Sequence, residues 1–342
     1  MTQQFSQMRR ETLEIPESVE RLLTLGADTT KRLAELVREK DPRFLISIAR
    51  GSSDHACTFI KYVAELTLQI PTASVGPSIH SIYKTKLTAK DALCLAVSQS
   101  GQSPDIVGMT GSLRASGALT YAITNDSTSR LASIADAALP FHAGPELSVA
   151  ATKTFIASLV AGLWLIATIK DDTTLLAAIH ALPRQLDAAI NCDWSAAASK
   201  IDGGSVFTLG RGPTLAISNE AALKFKETCL IHAESYSSAE VQHGPMSIVS
   251  SGFPVVIFAA QDAAEASLAE AASALVAKGA NVFITSSQAS EATALPHART
   301  GHPLTDPIAT IVSFYVMVEA LARSRLIDPD HPRHLSKVTQ TL

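Results

Sequence analysis

The chain has 342 residues, 46% of them apolar and 18% charged, and a net charge of −4. That length implies two domains with sizeable cores, and the composition excludes a disordered chain. The acidic balance argues against a nucleic-acid binder, which would show a basic face.

Residues 1–40 are rich in charge and lack the apolar core of a secretory leader. Leu13, Val19, Leu22, Leu23, Leu33 and Val37 recur at roughly helical spacing, so residues 1–43 read as an N-terminal helical segment. Short apolar runs then alternate with longer helical patterns. Residues 44–49, 92–97, 119–124 and 138–141 read as strands, as do 206–209, 254–259 and 282–285. Continuous apolar strands alternating with helices predict an α/β fold, with parallel sheets covered on both faces. Residues 154–169 form an uncharged helix too short for a membrane span, expected to be buried at a domain or subunit interface. The four cysteines, Cys57, Cys94, Cys192 and Cys229, are widely spread with no CxxC pair, which fits buried thiols in a reducing cytoplasm.

The two halves resemble each other. Arg50-Gly51 closes one first strand and Arg211-Gly212 the other, 161 positions on; Gly117-Ala118 recurs as Gly279-Ala280 and Ile123-Thr124 as Ile284-Thr285, at nearly the same offset. A near-constant offset across separate features implies duplication. The expected organisation is a first domain over 44–195 with connecting helices, a second over 196–327, and a tail over 328–342.

Between the strand at 92–97 and a helix over 106–115 lies Ser98-Gln99-Ser100-Gly101-Gln102-Ser103. A small polar loop feeding a helix N-terminus is an anion site, because the first backbone N–H groups lack helical partners and the dipole favours negative charge. The expected guest is a phosphate monoester; an ordinary serine-rich turn with Asp105 as its cap is the alternative. The loop is not duplicated: Ala260-Gln261-Asp262 lacks the hydroxyls and the glycine, and Asp262 would repel phosphate. In the second half, Glu220, Lys224 and Glu227 fall on one helical face. Such a stripe is usually solvated, but Ala221, Ala222 and Leu223 mark this helix as closely packed. His243 precedes a Gly-Pro turn, from which an imidazole can project into a cleft, and a carboxylate and an imidazole together can serve acid–base chemistry.

Six motifs in order now carry a resemblance: GSS at 51–53, SQSGQS at 98–103, GPELSVAATKTF at 144–155, ALKFKE at 222–227, IHAESYSSAEVQHGP at 231–245 and PRHLSK at 332–337. The chain closely resembles the sugar-isomerase (SIS) proteins built from two tandem SIS domains, like the isomerase module of glucosamine-6-phosphate synthase and stand-alone sugar-phosphate deaminases. The resemblance implies two flavodoxin-like α/β/α sandwiches with central parallel sheets. It implies that Ser52, Ser53, Ser98, Gln99, Ser100 and Ser103 hold a sugar phosphate and that Val149 and Ala151 line the sugar. It implies that Glu227 shuttles a proton between C1 and C2, that Lys224 lies near the reacting oxygens, and that His243 opens the ring from a neighbouring subunit. Lys337, in a tail that closes the site, matches a lysine that condenses with the open-chain ketose. No metal and no cofactor are implied.

The departures concern the reaction. Residue 2 is Thr, where the synthase carries the cysteine of a glutaminase domain, so no ammonia source is expected in this chain. Ala151 replaces a serine, Gln102 an acidic residue and Gln242 a lysine. The expectation is a cytoplasmic, homodimeric aminosugar-phosphate deaminase–isomerase, acting on a phosphorylated aminohexose and binding neither nucleic acid nor membrane. The alternatives are a fructosamine-6-phosphate deglycase, another ketose–aldose isomerase, or a sugar-phosphate-sensing binding protein. Residues 1–43 are short for the DNA-binding module such a sensor would need.

Overall fold

A computed structural model describes residues 5–202 and 204–337. The chain divides into two compact units, each with its own five-stranded parallel sheet. One unit comprises Glu17–Glu146, Lys153–His180 and the chain from Ser336 on. The other comprises the chain up to Pro16, together with Leu147–Thr152 and Ala181–Leu335.

The N-terminal segment carries the helices α1 (Gln7–Leu13), α2 (Ile15–Leu25) and α3 (Ala27–Lys40). The first sheet contains β1 (Phe44–Ile48), β2 (Thr72–Ser74), β3 (Ala92–Ser98), β4 (Leu119–Thr124) and β5 (Ala137–Pro140), in the order β2-β1-β3-β4-β5. Between them run α4 (Ser52–Thr67), α5 (Ser78–Ser81), α6 (Pro104–Ala115) and α7 (Arg130–Ile134); α8 (Lys153–Lys170) and α9 (Thr173–Ile190) follow. All seven residues of β3 are buried, as an unbroken apolar run at the centre of a two-sided sheet requires.

After α10 (Ser195–Ala198), the second sheet is built from β6 (Ser205–Gly210), β7 (His232–Ser237), β8 (Pro254–Ile257), β9 (Asn281–Ile284) and β10 (Thr293–Ala294). Its helices are α11 (Thr214–Cys229), α12 (Glu265–Val276) and α13 (Asp306–Ser324). Its order, β7-β6-β8-β9-β10, repeats that of the first sheet strand for strand. Gly51 and Gly212 sit at matching strand-to-helix turns with φ of 56° and 58°, a left-handed conformation that side chains disfavour. The repeat in the sequence is therefore a repeat in backbone shape.

The seven expected strands are all present, with ends shifted by at most two residues. The sequence pattern missed β2, β7 and β10. β2 and β10 are three and two residues long, and β7 (HAESYS) is polar; all three lie at sheet edges, where one side meets solvent and the apolar signal fades. The expectation of α8 as a subunit contact needs correction. Every residue of α8 from Lys153 to Ala167 is already buried in the chain, and the helix packs against α3 and α4. No apolar face is left over for a partner. α8 and α13 are long and apolar enough to cross a membrane, but 83% and 78% of them is buried within the protein, as in core helices.

Candidate active site

In a sheet of this strand order the chain reverses direction between β1 and β3, and ligands bind outside the carboxyl ends of the strands at such a switch point. Both segments expected to bind an anion fall there. Ser52 and Ser53 open α4 just after β1, and Ser98–Ser103 link β3 to α6. Strands β1 and β3 pair directly, with Ile48 opposite Ala96, so the six expected phosphate residues are brought together at one end of the sheet.

The loop is held from within. Gly101 N–H donates to Ser98 Oγ at 3.2 Å, Gln102 N–H donates to Ser100 Oγ at 3.3 Å, and the Gln99 carbonyl accepts from Asn125 N–H at 3.1 Å. Gly101 has φ of 61°, and a Cβ there would lie 2.2 Å from Ser129 Oγ. Only glycine fits that turn. Ser103 is the N-cap of α6, yet its hydroxyl makes no capping bond. The buried Asp105 carboxylate accepts a 2.6 Å hydrogen bond from Arg50 Nε at Oδ2 and one from the N–H of Ile106 at 2.9 Å at Oδ1. Burial raises the neighbouring Asp54 carboxyl above its usual range, against the pull of His55 and Arg50.

The charged stripe of the sequence lies in the other unit. α11 packs against α13, β6 and β7, burying Ala216, Ala221, Ala222 and Phe225. Its stripe of charges is therefore interior and not solvated. Lys224 is fully buried and lies between Glu227, to which its ammonium donates a short hydrogen bond, and Glu220, 3.2 Å away. Tyr315 from α13 donates to Glu220 at 3.3 Å. Burial works against the charged ammonium, but the two carboxylates outweigh it and hold the Lys224 pKa above the ordinary lysine value. Lys224 is thus a fixed cation. The Glu227 side chain is 17% exposed, against 0% for Glu220 and Lys224, so it is the member of the group that reaches open space.

The remaining expected residues lie elsewhere. His243 is exposed, ends a 3₁₀ turn over Glu240–Gln242, and makes no side-chain hydrogen bond among the described residues. Val149 and Ala151 are half-buried in the Leu147–Thr152 segment, which α1 grips: the buried Glu11 carboxylate accepts from the N–H groups of Leu147 and Ser148. Lys337 is not a loose terminal lysine, because its ammonium donates to Glu146 Oε2 at 2.9 Å. Glu146 also accepts from the N–H and hydroxyl of Thr154 at 3.0 and 2.6 Å. Burial would raise the Glu146 carboxyl, but Lys337 and Thr154 prevail and hold it below the usual carboxylate range. Residues 338–342 of the expected closing tail, like Thr2, lie outside the described residues.

Four groups of this arrangement escaped the sequence reading. Glu220 was visible as part of the stripe but had no role. Glu146 stands inside the GPELSV motif, and Arg50 just before GSS. Glu11 gave no signal at all.

Known proteins agree with this architecture. The pattern of the SIS domain matches residues 29–168 and 201–324. The glutamine–fructose-6-phosphate aminotransferase (isomerizing) of Caulobacter vibrioides is 30% identical over 96% of this chain and 58% of its own length; this chain spans about half the length of such relatives. The crystal structure of a candidate phosphosugar isomerase from Silicibacter pomeroyi superposes with a TM-score of 0.92 at 57% identity, covering 95% of this chain and all of that one. A glucosamine-6-phosphate deaminase from Thermotoga maritima, at 24% identity, covers 95% of this chain and all of its own with a TM-score of 0.72, and so shares the fold. Two sheets of one strand order and the matched pattern in both halves agree: the chain belongs to the SIS domain family.

Proposed function

We propose that the protein deaminates and isomerises an aminosugar phosphate, taking glucosamine 6-phosphate to fructose 6-phosphate and ammonia. The observation that carries this reading is the interior Glu220–Lys224–Glu227 group, in which one carboxylate reaches open space beside a permanent cation. A C1/C2 isomerisation asks for that pair: a base that moves one proton along one face, and a positive charge beside the oxygen that becomes negative.

In this reading the SQSGQS loop, Ser52 and Ser53 anchor the phosphate, and Val149 and Ala151 line the sugar. His243 assists ring opening to the C1 aldehyde. Glu227 takes the proton from C2, Lys224 stabilises the charge that builds on O1, and a proton passes from the C2 ammonium to O1, giving a C1–C2 enolamine. Glu227 returns the proton to C1, so that C1 becomes a hydroxymethyl group and C2 an iminium. Water then adds at C2 and expels ammonia, leaving the ketone. Alternatively the Lys337 amine adds first, ammonia leaves, and water hydrolyses the resulting ketimine. Lys337 must give up a proton and leave Glu146 for that route. The exposure of His243 supports a homodimer in which it serves the neighbouring protomer's site, and sedimentation of the active enzyme as a monomer would contradict this.

The test is enzyme-coupled detection of ammonia from glucosamine 6-phosphate. We expect turnover by the wild type and a loss of about 100-fold or more in kcat for Glu227→Gln, the usual weight of a positioned base. An unaffected variant would sink the assignment. The 57% identity to a candidate phosphosugar isomerase favours a second reading, ketose–aldose isomerisation without deamination. Interconversion of a keto and an aldo sugar phosphate with no ammonia released would select it.

A further inference from the structure

The β1/β3 switch point holds a cation that the reading above leaves unused. Arg50 follows β1 and stands between that strand and Ser52. Its Nε donates to Asp105 Oδ2 at 2.6 Å, and Asp105 is the second residue of α6, two positions beyond Ser103. The Asp105 side chain is fully buried and the Arg50 side chain is 44% exposed. The guanidinium is therefore tied at Nε to the first turn of α6, beside a loop whose own side chains are hydroxyls and amides. Its two terminal nitrogens make no hydrogen bond among the described residues.

We infer that Arg50 is the charge-bearing ligand of the anion loop, a specificity-determining residue that selects a phosphate dianion through its free terminal nitrogens. The inference deepens the proposed function and rests on its assignment of phosphate to this loop. Hydroxyls, backbone N–H groups and helix N-termini hold an anion but carry no full charge. A phosphate monoester carries nearly two at neutral pH, and a planar guanidinium meets it with charge-assisted, paired hydrogen bonds. The bond to Asp105 restrains a side chain that would otherwise lose rotamer freedom on binding, so less is lost when the ligand arrives. The arrangement also explains why an aspartate is tolerated two residues past Ser103. Its charge is spent on Arg50 and does not face the ligand alone.

The experiment compares the full-length wild type with Arg50→Gln, Arg50→Lys and the double variant Arg50→Gln/Asp105→Asn. The double variant removes both members of the ion pair and so avoids an unpaired buried carboxylate. Calorimetric titration with inorganic phosphate and with glucosamine 6-phosphate gives affinity, a thermal melt controls for folding, and steady-state kinetics separates KM from kcat. We expect Arg50→Gln and the double variant to bind both ligands about tenfold or more weakly, the weight of a hydrogen bond to a charged group. Arg50→Lys recovers part of the loss, since it keeps the charge without the fork. KM rises by the same factor while kcat stays within about threefold. Affinity within twofold of wild type in a folded double variant would overturn the inference, as would a fall in kcat with KM unchanged. If the wild type binds phosphate but releases no ammonia, the proposed reaction fails while the titrations still decide the role of Arg50.

Discussion

Lys224 shows how one residue turns a common surface pattern into a site. Charges three and four apart on a helix usually face water and contribute a few tenths of a kcal/mol each. Here the lysine is fully buried with a carboxylate on either side, and the group is stable only because each charge has its partner. Lys224→Met would keep the side-chain volume and leave Glu220 and Glu227 without a cation. Breaking a buried charge group in this way costs about 3–5 kcal/mol. Urea denaturation at neutral pH should show that loss as a lower midpoint for the variant. A folded variant as stable as the wild type would mean that Lys224 does not compensate the two carboxylates.

At the scale of elements, α1 has a role that its seven residues do not advertise. It is fastened at both ends: Gln7 and Met8 N–H donate to the Asp330 carboxylate at 2.7 Å, and Glu11 holds Leu147 and Ser148. Glu11→Ala would leave two backbone N–H groups without their carboxylate, at about 1–3 kcal/mol. Amide exchange should then quicken at Leu147 and Ser148 before it does in the strands, and unchanged protection there would refute the grip. None of this was legible in the sequence, because Glu11 and Leu147 are 136 positions apart and Lys337 and Glu146 are 191 apart. Hydrophobic period reports which face of an element is covered but not what covers it. That is why α8 was recognised as buried yet assigned to the wrong neighbour. The central strands were legible, since β3 and β4 are buried on both faces and read as apolar runs; the short or polar edge strands were not. The anion loop was legible because its parts are adjacent in the chain. Arg50 was not, because its role depends on the pairing of β1 with β3.

At the scale of the whole molecule, one shape appears twice and its two copies have diverged at the same place. In the second sheet the loop between β8 and α12 occupies the position of SQSGQS, and its polar groups are engaged differently. Asp262 Oδ1 accepts from the N–H of Ala264, the residue before α12, at 2.8 Å. The Gln261 N–H is taken by the Asp306 carboxylate at 3.2 Å. Burial raises the Asp262 carboxyl, and the nearby charges of Glu265 and Asp306 push it further up despite the bond from Ala264. A phosphate arriving there would meet Asp262 beside Glu265 and Asp306, which already pair with Arg299 at 3.3 and 3.1 Å, and a Gln261 N–H already in use, whereas Ser103 at the start of α6 makes no capping bond. The duplication should therefore yield one anion site per chain. Calorimetric titration with glucosamine 6-phosphate is expected to give about one equivalent per chain, with no second event of comparable affinity, since the like charges at the second loop disfavour the bound state. Asp262→Ser should leave the stoichiometry at one, because it restores a hydroxyl while Asp306 still holds the Gln261 amide. Two equivalent sites in the wild type would show that divergence at Asp262 did not silence the second copy. A second site gained in Asp262→Ser would show that this single charge silenced it, rather than the whole cluster.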